Sequence, residues 1–243
     1  PLLKRREVAY YLRDAGAQVI FAWHEVAEEA AAGAAQAGVD MLTVDRDEFP
    51  DLVAAAEPLT TLTPRQPRDT AVILYTSGTT GEPKGAELTH ANLTANAEIV
   101  AADLFALIAD DVVLGAPPMF HAFGQVCCLN APVLVGASVT ILGRFDPDEV
   151  LRVLAEHRVT IFPGVPTMFL AVLARPDLAT FDHSALRVCM SGAAALPVEA
   201  IRAIENTFGV PVLEGYGLSE TSPAAAFNQP GQTSKPGSVG TPI

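Results

Sequence analysis

Residues 71–85, AVILYTSGTTGEPKG, switch abruptly from one kind of chemistry to another. An apolar run from Ala71 to Leu74 has the composition of a buried strand. It ends in a loop with four aliphatic hydroxyls, three glycines, one proline and one lysine. Glycines let backbone N–H groups come close to an anion, hydroxyls add donors and lysine adds charge. Thr76, Ser77, Thr79, Thr80 and Lys84 are therefore candidate ligands for a polyphosphate, with Gly78 and Gly81 giving close backbone approach. The loop is not a Walker A sequence, since Pro83 stands where glycine is required and Gly85 follows Lys84 in place of Ser or Thr. A turn rich in small polar residues is the plain alternative for any one such cluster. A helical pattern begins a few residues later, so the expected order is strand, polar loop, helix.

Around this loop, strand-like and helix-like patterns alternate. Apolar residues Val8, Tyr11, Leu12 and Ala15 fall at helical spacing, and Gly16 is a natural stop. Strands are expected at 18–22 and 41–44, with an alanine-rich helix at 26–36 between them. Residues 57–70, with Pro58, Pro64 and Pro67, read as an irregular connector. After the loop, Thr89 or His90 caps a helix to about Ala101, and Asp103 to Asp111 reads as a joint between two halves. Strands then fall at 112–116, 138–142, 160–162, 186–190 and 212–213. Helices fall at 166–173 and 197–208, and another has Asp146 as N-cap and Pro147 in its first turn. Such alternation implies α/β architecture with parallel sheets: a first subdomain at 1–103 and a second at 112–243.

Half of the 243 residues are hydrophobic, enough to bury a substantial core. With 15 basic against 28 acidic residues, nucleic acid and anionic membrane are disfavoured as partners. The same field repels a nucleotide, so a nucleotide site needs local donors and a divalent cation. Residues 112–143 contain no Asp, Glu, Lys or Arg, but Pro117, Pro118, His121, Gln125, Asn130 and Pro132 interrupt them. Buried strands are expected there, with no integral membrane segment. Cys127, Cys128 and Cys189 lack metal spacing and read as buried thiols of a cytoplasmic protein. The chain lacks an initial methionine and stops in a turn-rich segment, which reads as an excised piece incomplete at both ends.

Two further segments carry chemistry. In EGYGLSET, residues 214–221, a tyrosine between glycines can lay its ring on a purine, while Ser219 and Glu220 offer a hydroxyl and a carboxylate to phosphate and Mg²⁺. In PMFHAFG, residues 118–124, a lone histidine sits among apolar residues. Gly164, Val165 and Pro166, and likewise Ser191 to Ala194, follow strands and open loops, where small residues leave room for a ligand. No GxSxG elbow is present, and no catalytic triad is assigned among Ser, His and Asp.

Residues 75–85, 118–124 and 214–221 together resemble, in order, the motifs of the adenylate-forming superfamily of acyl-CoA synthetases, luciferases and peptide-synthetase adenylation domains. The likeness covers nearly the whole chain and is nearest to fatty acyl-CoA ligases. It implies two stacked sheet-and-helix subdomains with the site in the crevice between them. It also implies conversion of a carboxylic acid and MgATP to an acyl adenylate, followed by transfer to CoA. By this resemblance Thr76, Lys84 and Glu220 are catalytic, with Glu220 and secondarily Thr76 on Mg²⁺. The loop together with Gly192, Ala193, Glu214, Gly215, Tyr216, Gly217 and Ser219 binds ATP, and Phe120, His121, Gly124, Val165, Ala193 and Ala194 line the acyl site. The family usually has threonine at the position of Ser219. Its ribose-binding aspartate, hinge and C-terminal lysine lie past residue 243, so this piece alone is expected to be nearly inactive. A carrier-protein-loading acyl-AMP ligase and a non-catalytic binding module are the alternatives. Chain length of the acid and oligomeric state are not legible.

Overall fold

The computed structural model describes residues 3–77, 81–232, 235 and 237–243. Of the expected phosphate-loop residues, Gly78, Thr79 and Thr80 lie outside this set. Internal contacts divide the chain into two compact units, one of residues 1–66 and 75–86, the other of residues 67–74 and 87–243.

In the first unit, helix α1 (Arg5–Asp14) packs on helix α2 (Ala27–Ala37). Val8, Leu12 and Ala34 form the core there, with Ile20 and Met41 against them. The two-stranded parallel sheet of β1 (Val19–Trp23) and β2 (Asp40–Val44) supplies those last two residues. A short helix α3 (Phe49–Ala55) with proline in its first turn precedes the connector. Strand β3 (Thr70–Thr76), of which residues 70–74 are counted in the second unit, then pairs with β4 (Lys84–Thr89), of which residues 87–89 are likewise, and the phosphate loop joins them. The loop thus leads into a strand before any helix, because Leu88 has a buried position to fill and Thr70 Oγ1 bonds Glu87 across the pair at 2.6 Å.

Helix α4 (His90–Ile99) starts where expected. Thr89 Oγ1 accepts from Asn92 N at 3.1 Å and Asn92 Oδ1 accepts from Thr89 N at 3.3 Å, a reciprocal cap. α4 continues through a π-helical turn at Val100–Leu104. Contacts place α4 in the second unit, whereas the sequence pattern puts the joint after it, at 103–111.

The second unit is organised by a mixed seven-stranded sheet among the described residues, in the order β11-β10-β9-β8-β7-β5-β6. Here β5 is Val112–Gly115, β6 Ser138–Ile141, β7 Ile161–Gly164, β8 Val188–Ser191, β9 Val212–Gly217, β10 Ala224–Phe227 and β11 Thr241–Pro242. β6, β5, β7, β8 and β9 run parallel; β10 and β11 add antiparallel pairs at one edge. The period-two rule sorts the strand residues cleanly. Leu114, Phe162, Cys189 and Val212 face helices α7 (Pro147–Glu156), α8 (Pro166–Leu173) and α9 (Val198–Phe208). Val113, Ile161, Met190 and Leu213 face the opposite layer, built from the π turn after α4 and from residues 122–135. Both faces are covered, so the strands read as continuous apolar runs.

Residues 122–135 correct the expectation of buried strands. They form one helical run: α5 (Ala122–Gln125), a π-helical turn (Val126–Asn130) and α6 (Ala131–Val135). Val126, Cys127, Cys128 and Ala131 are buried in it while Leu129, Val133 and Leu134 are exposed. This one-sided pattern has helical spacing, and Pro132, which has no N–H to donate, falls just after the π-helical turn. No described helix is long and apolar enough to cross a membrane. The three cysteines are free thiols, and burial pushes them up, Cys128 to about 12. As expected, Asp146 caps α7 through Asp148 N and Glu149 N, with Pro147 in the first turn.

Candidate nucleotide and acid site

In an open α/β sheet, ligands settle at the carboxyl ends of the parallel strands, near the point where strand order reverses. Here the reversal lies at β5, flanked by β6 on one side and β7 on the other. A cavity of about 510 Å³ sits at those carboxyl ends. It is lined by Pro117 and Pro118 after β5, Val165 after β7, Met190 and Gly192 at the end of β8, and Gly215, Tyr216 and Gly217 of β9. α5 supplies Ala122, Phe123 and Gly124, His121 precedes them, and Phe227 of β10 closes one wall. Among the described residues the lining contains no Asp, Glu, Lys or Arg.

Three cavity glycines are required by close approach: a Cβ would overlap the Pro118 carbonyl at Gly124, the Phe227 ring at Gly215 and the Pro223 carbonyl at Gly217, while one on Gly192 would press within 3.0 Å of the Phe123 ring. Tyr216 lines the cavity and is half exposed. Ser219 lines the cavity and begins a short turn, Ser219–Thr221, on which Glu220 is exposed. Asn96 of α4 ties this turn down: its Nδ2 donates to Ala224 O at 3.0 Å and Thr221 O at 3.5 Å, and its Oδ1 accepts from Ala224 N at 3.3 Å.

The cavity gathers nine expected residues from separate segments of the chain: His121, Gly124, Val165, Gly192, Ala193, Gly215, Tyr216, Gly217 and Ser219. Others fall elsewhere. Phe120 is 64 % exposed and Ala194 is exposed, and neither lines the cavity. Glu214 is buried, and its Oε1 accepts from Leu196 N at 3.1 Å while its own N–H donates to Asn228 Oδ1, so its carboxylate anchors the 191–196 loop. Thr76, Ser77, Gly81 and Lys84 belong to the first unit, Lys84 exposed at the start of β4. Phe123, Met168, Met190, Leu218 and Phe227 line the cavity without having been singled out, since apolar residues of a pocket wall and of a core look alike in sequence. Asn96, inside a helix, gave only the weak signal of an amide at a buried helical position.

Comparison with known proteins shows the family. The profile of the AMP-binding enzyme family matches residues 1–243. A long-chain-fatty-acid–CoA ligase of Bacillus subtilis (strain 168) is 43% identical over 175 residues, 72% of this chain and 31% of the relative. A feruloyl-CoA synthase of Amycolatopsis sp is 36% identical over 244 residues, 97% of this chain and 46% of the relative. The crystal structure of ATP-bound MatB from Rhodopseudomonas palustris superposes with a TM-score of 0.88 at 30% identity, covering 100% of this chain and 48% of that one. The chain thus spans about half the length, or less, of the relatives it matches. With the family profile covering every residue and the α/β fold shared with a nucleotide-bound relative, this chain belongs to the AMP-binding enzyme family.

Proposed function

We propose that this chain carries the nucleotide- and acid-binding part of an ATP-dependent acid–CoA ligase. The observation behind this reading is the cavity where residues of the 118–124, 190–194 and 214–221 segments meet. In the proposed reaction a carboxylate oxygen of the acid attacks the α-phosphorus of ATP and pyrophosphate leaves. The thiol of CoA then attacks the acyl carbonyl and AMP leaves. The substrate brings its own nucleophile, so the protein's task is alignment and charge neutralisation. Tyr216 stacks on adenine and Ser219 meets the α-phosphate, and Thr76, Ser77 and Lys84 are the phosphate donors of the first unit.

Mg²⁺ fits this donor set: it is commonly held by one or two carboxylates plus substrate phosphates, and Glu220 presents an exposed hard oxygen donor beside Ser219. Bound there, it would neutralise phosphate charge. The uncharged wall of Phe123, Val165, Met168 and Met190 suits an apolar acid, and a fatty acid is the proposed substrate. The relatives' names, a fatty-acid ligase and a feruloyl synthase, support acid activation and span both aliphatic and aryl substrates.

The test is carboxylate-dependent exchange of labelled pyrophosphate into ATP by the complete protein, run with fatty, aryl and short acids. Exchange is expected with fatty acids and should collapse in Lys84→Ala and Glu220→Ala. Absence of exchange with every acid would refute the ligase reading and leave a binding module.

A further inference from the structure

Helix α1 reaches both stems of the phosphate loop. On the incoming side Tyr75, which precedes Thr76, donates its hydroxyl to Asp14 Oδ2 at 2.7 Å, and its ring centroid lies 4.4 Å from that of Tyr11. On the outgoing side Tyr10 donates to the carbonyl of Pro83 at 2.7 Å, one residue before Lys84. The rings of Tyr10 and Tyr11 meet edge to face at 5.6 Å, so one turn of helix grips both ends of the loop. All of these residues lie inside the first unit.

Ring packing alone does not require either hydroxyl to be bonded. The Pro83 carbonyl belongs to the peptide plane that ends at Lys84 N, and proline already fixes φ on its other side. A bond to that oxygen therefore orients the backbone from which the lysine side chain springs. Lys carries its point charge on a flexible four-carbon stem, so the direction of its backbone decides which region the ammonium can reach. Burial, followed by the carboxylates of Asp14 and Glu82, holds the Tyr10 hydroxyl above its ordinary pKa, so it stays a donor.

We infer that Tyr10 is a positioning residue for Lys84, and that the Asp14–Tyr75 pair does the same for Thr76 at the other stem. The inference rests on the proposed role of Lys84 and Thr76 toward ATP phosphates. The test uses the complete protein with Tyr10→Phe, which keeps the ring and removes only the donor, and Asp14→Ala as the second variant. Pyrophosphate exchange measured against MgATP and against acid should show KM for MgATP raised about five-fold in Tyr10→Phe, the worth of one neutral hydrogen bond, and by more in Asp14→Ala, whose bond from Tyr75 is charge-assisted, with KM for the acid unchanged in both. Hydrogen exchange of the backbone amides in 76–85 should speed up in both variants. Equal changes in both KM values, or a lower melting temperature with neither KM altered, would overturn the inference and leave these tyrosines a packing role. If Lys84→Ala raises KM for MgATP and Tyr10→Phe does not, the positioning role alone fails. If Lys84→Ala leaves it unchanged, the reading of the loop fails and the inference falls with it.

Discussion

Replacing Asn96 by aspartate alters almost nothing in shape and inverts half of the side chain's hydrogen bonding. The amide nitrogen faces two carbonyls, of Ala224 and Thr221, and the amide oxygen faces one N–H. An aspartate satisfies the N–H and aims a charged oxygen at two carbonyls, at a position only 7 % exposed. The folded protein escapes by keeping the carboxyl protonated. Holding an acid of ordinary pKa about 3.9 protonated at about pH 7 costs about 4 kcal/mol, which caps the penalty. Asn96→Asp should therefore destabilise the chain by about 3–4 kcal/mol near neutrality. Asn96→Ala, which leaves backbone groups unpaired but introduces no charge, should cost about 2–3 kcal/mol. The sign follows from linkage: the folded-state pKa of the introduced carboxyl would be raised, so the penalty is full above that value and fades as pH falls toward the unfolded value. Urea unfolding of wild type and both variants at about pH 7.5 and about pH 4.5 separates the two, because only the loss in Asn96→Asp should shrink at the lower pH. A pH-independent Asn96→Asp penalty would refute the assigned orientation of the amide. Because Asn96 fastens the turn that carries Ser219 and Glu220, the same variant should also depress pyrophosphate exchange.

Asp111 offers a second pH-linked test. Burial alone would raise its pKa, but hydrogen bonds from Arg187, Thr160 and the Ile108 N–H together hold it below the usual carboxylate range. Its contribution to stability is present above the unfolded pKa and lost as pH falls through the folded one. Asp111→Ala should cost about 3 kcal/mol at neutral pH in urea unfolding, and the difference from wild type should narrow in acid. At the cavity, Gly192→Val should press on the Phe123 ring, cost about 1–3 kcal/mol of stability and lower kcat/KM for bulky acids more than for short ones. Comparing the two acid classes in the exchange assay checks it.

Much of the frame was legible because it depends on local chemistry. Asp146 with Pro147, and Thr89, announce helix starts since the capping bonds are made within three residues. The strands at 112, 161, 188 and 212 declare themselves as apolar runs because both sheet faces are covered. Residues 122–135 misled for the same reason. An apolar run broken by Pro132 has no periodicity that separates a buried strand from a helix, and only packing against β5 and α4 chose between them.

Motif order, the hydroxyl-rich loop and family membership can all be read along the chain, since each is a string of residues whose chemistry is intrinsic. Folding settled the rest: which of those residues share a cavity, that Glu214 anchors a loop through Leu196, and that Tyr10 and Asn96 brace loops far away in the chain. Burial and hydrogen-bond partnership belong to pairs of distant residues, and no single segment contains them.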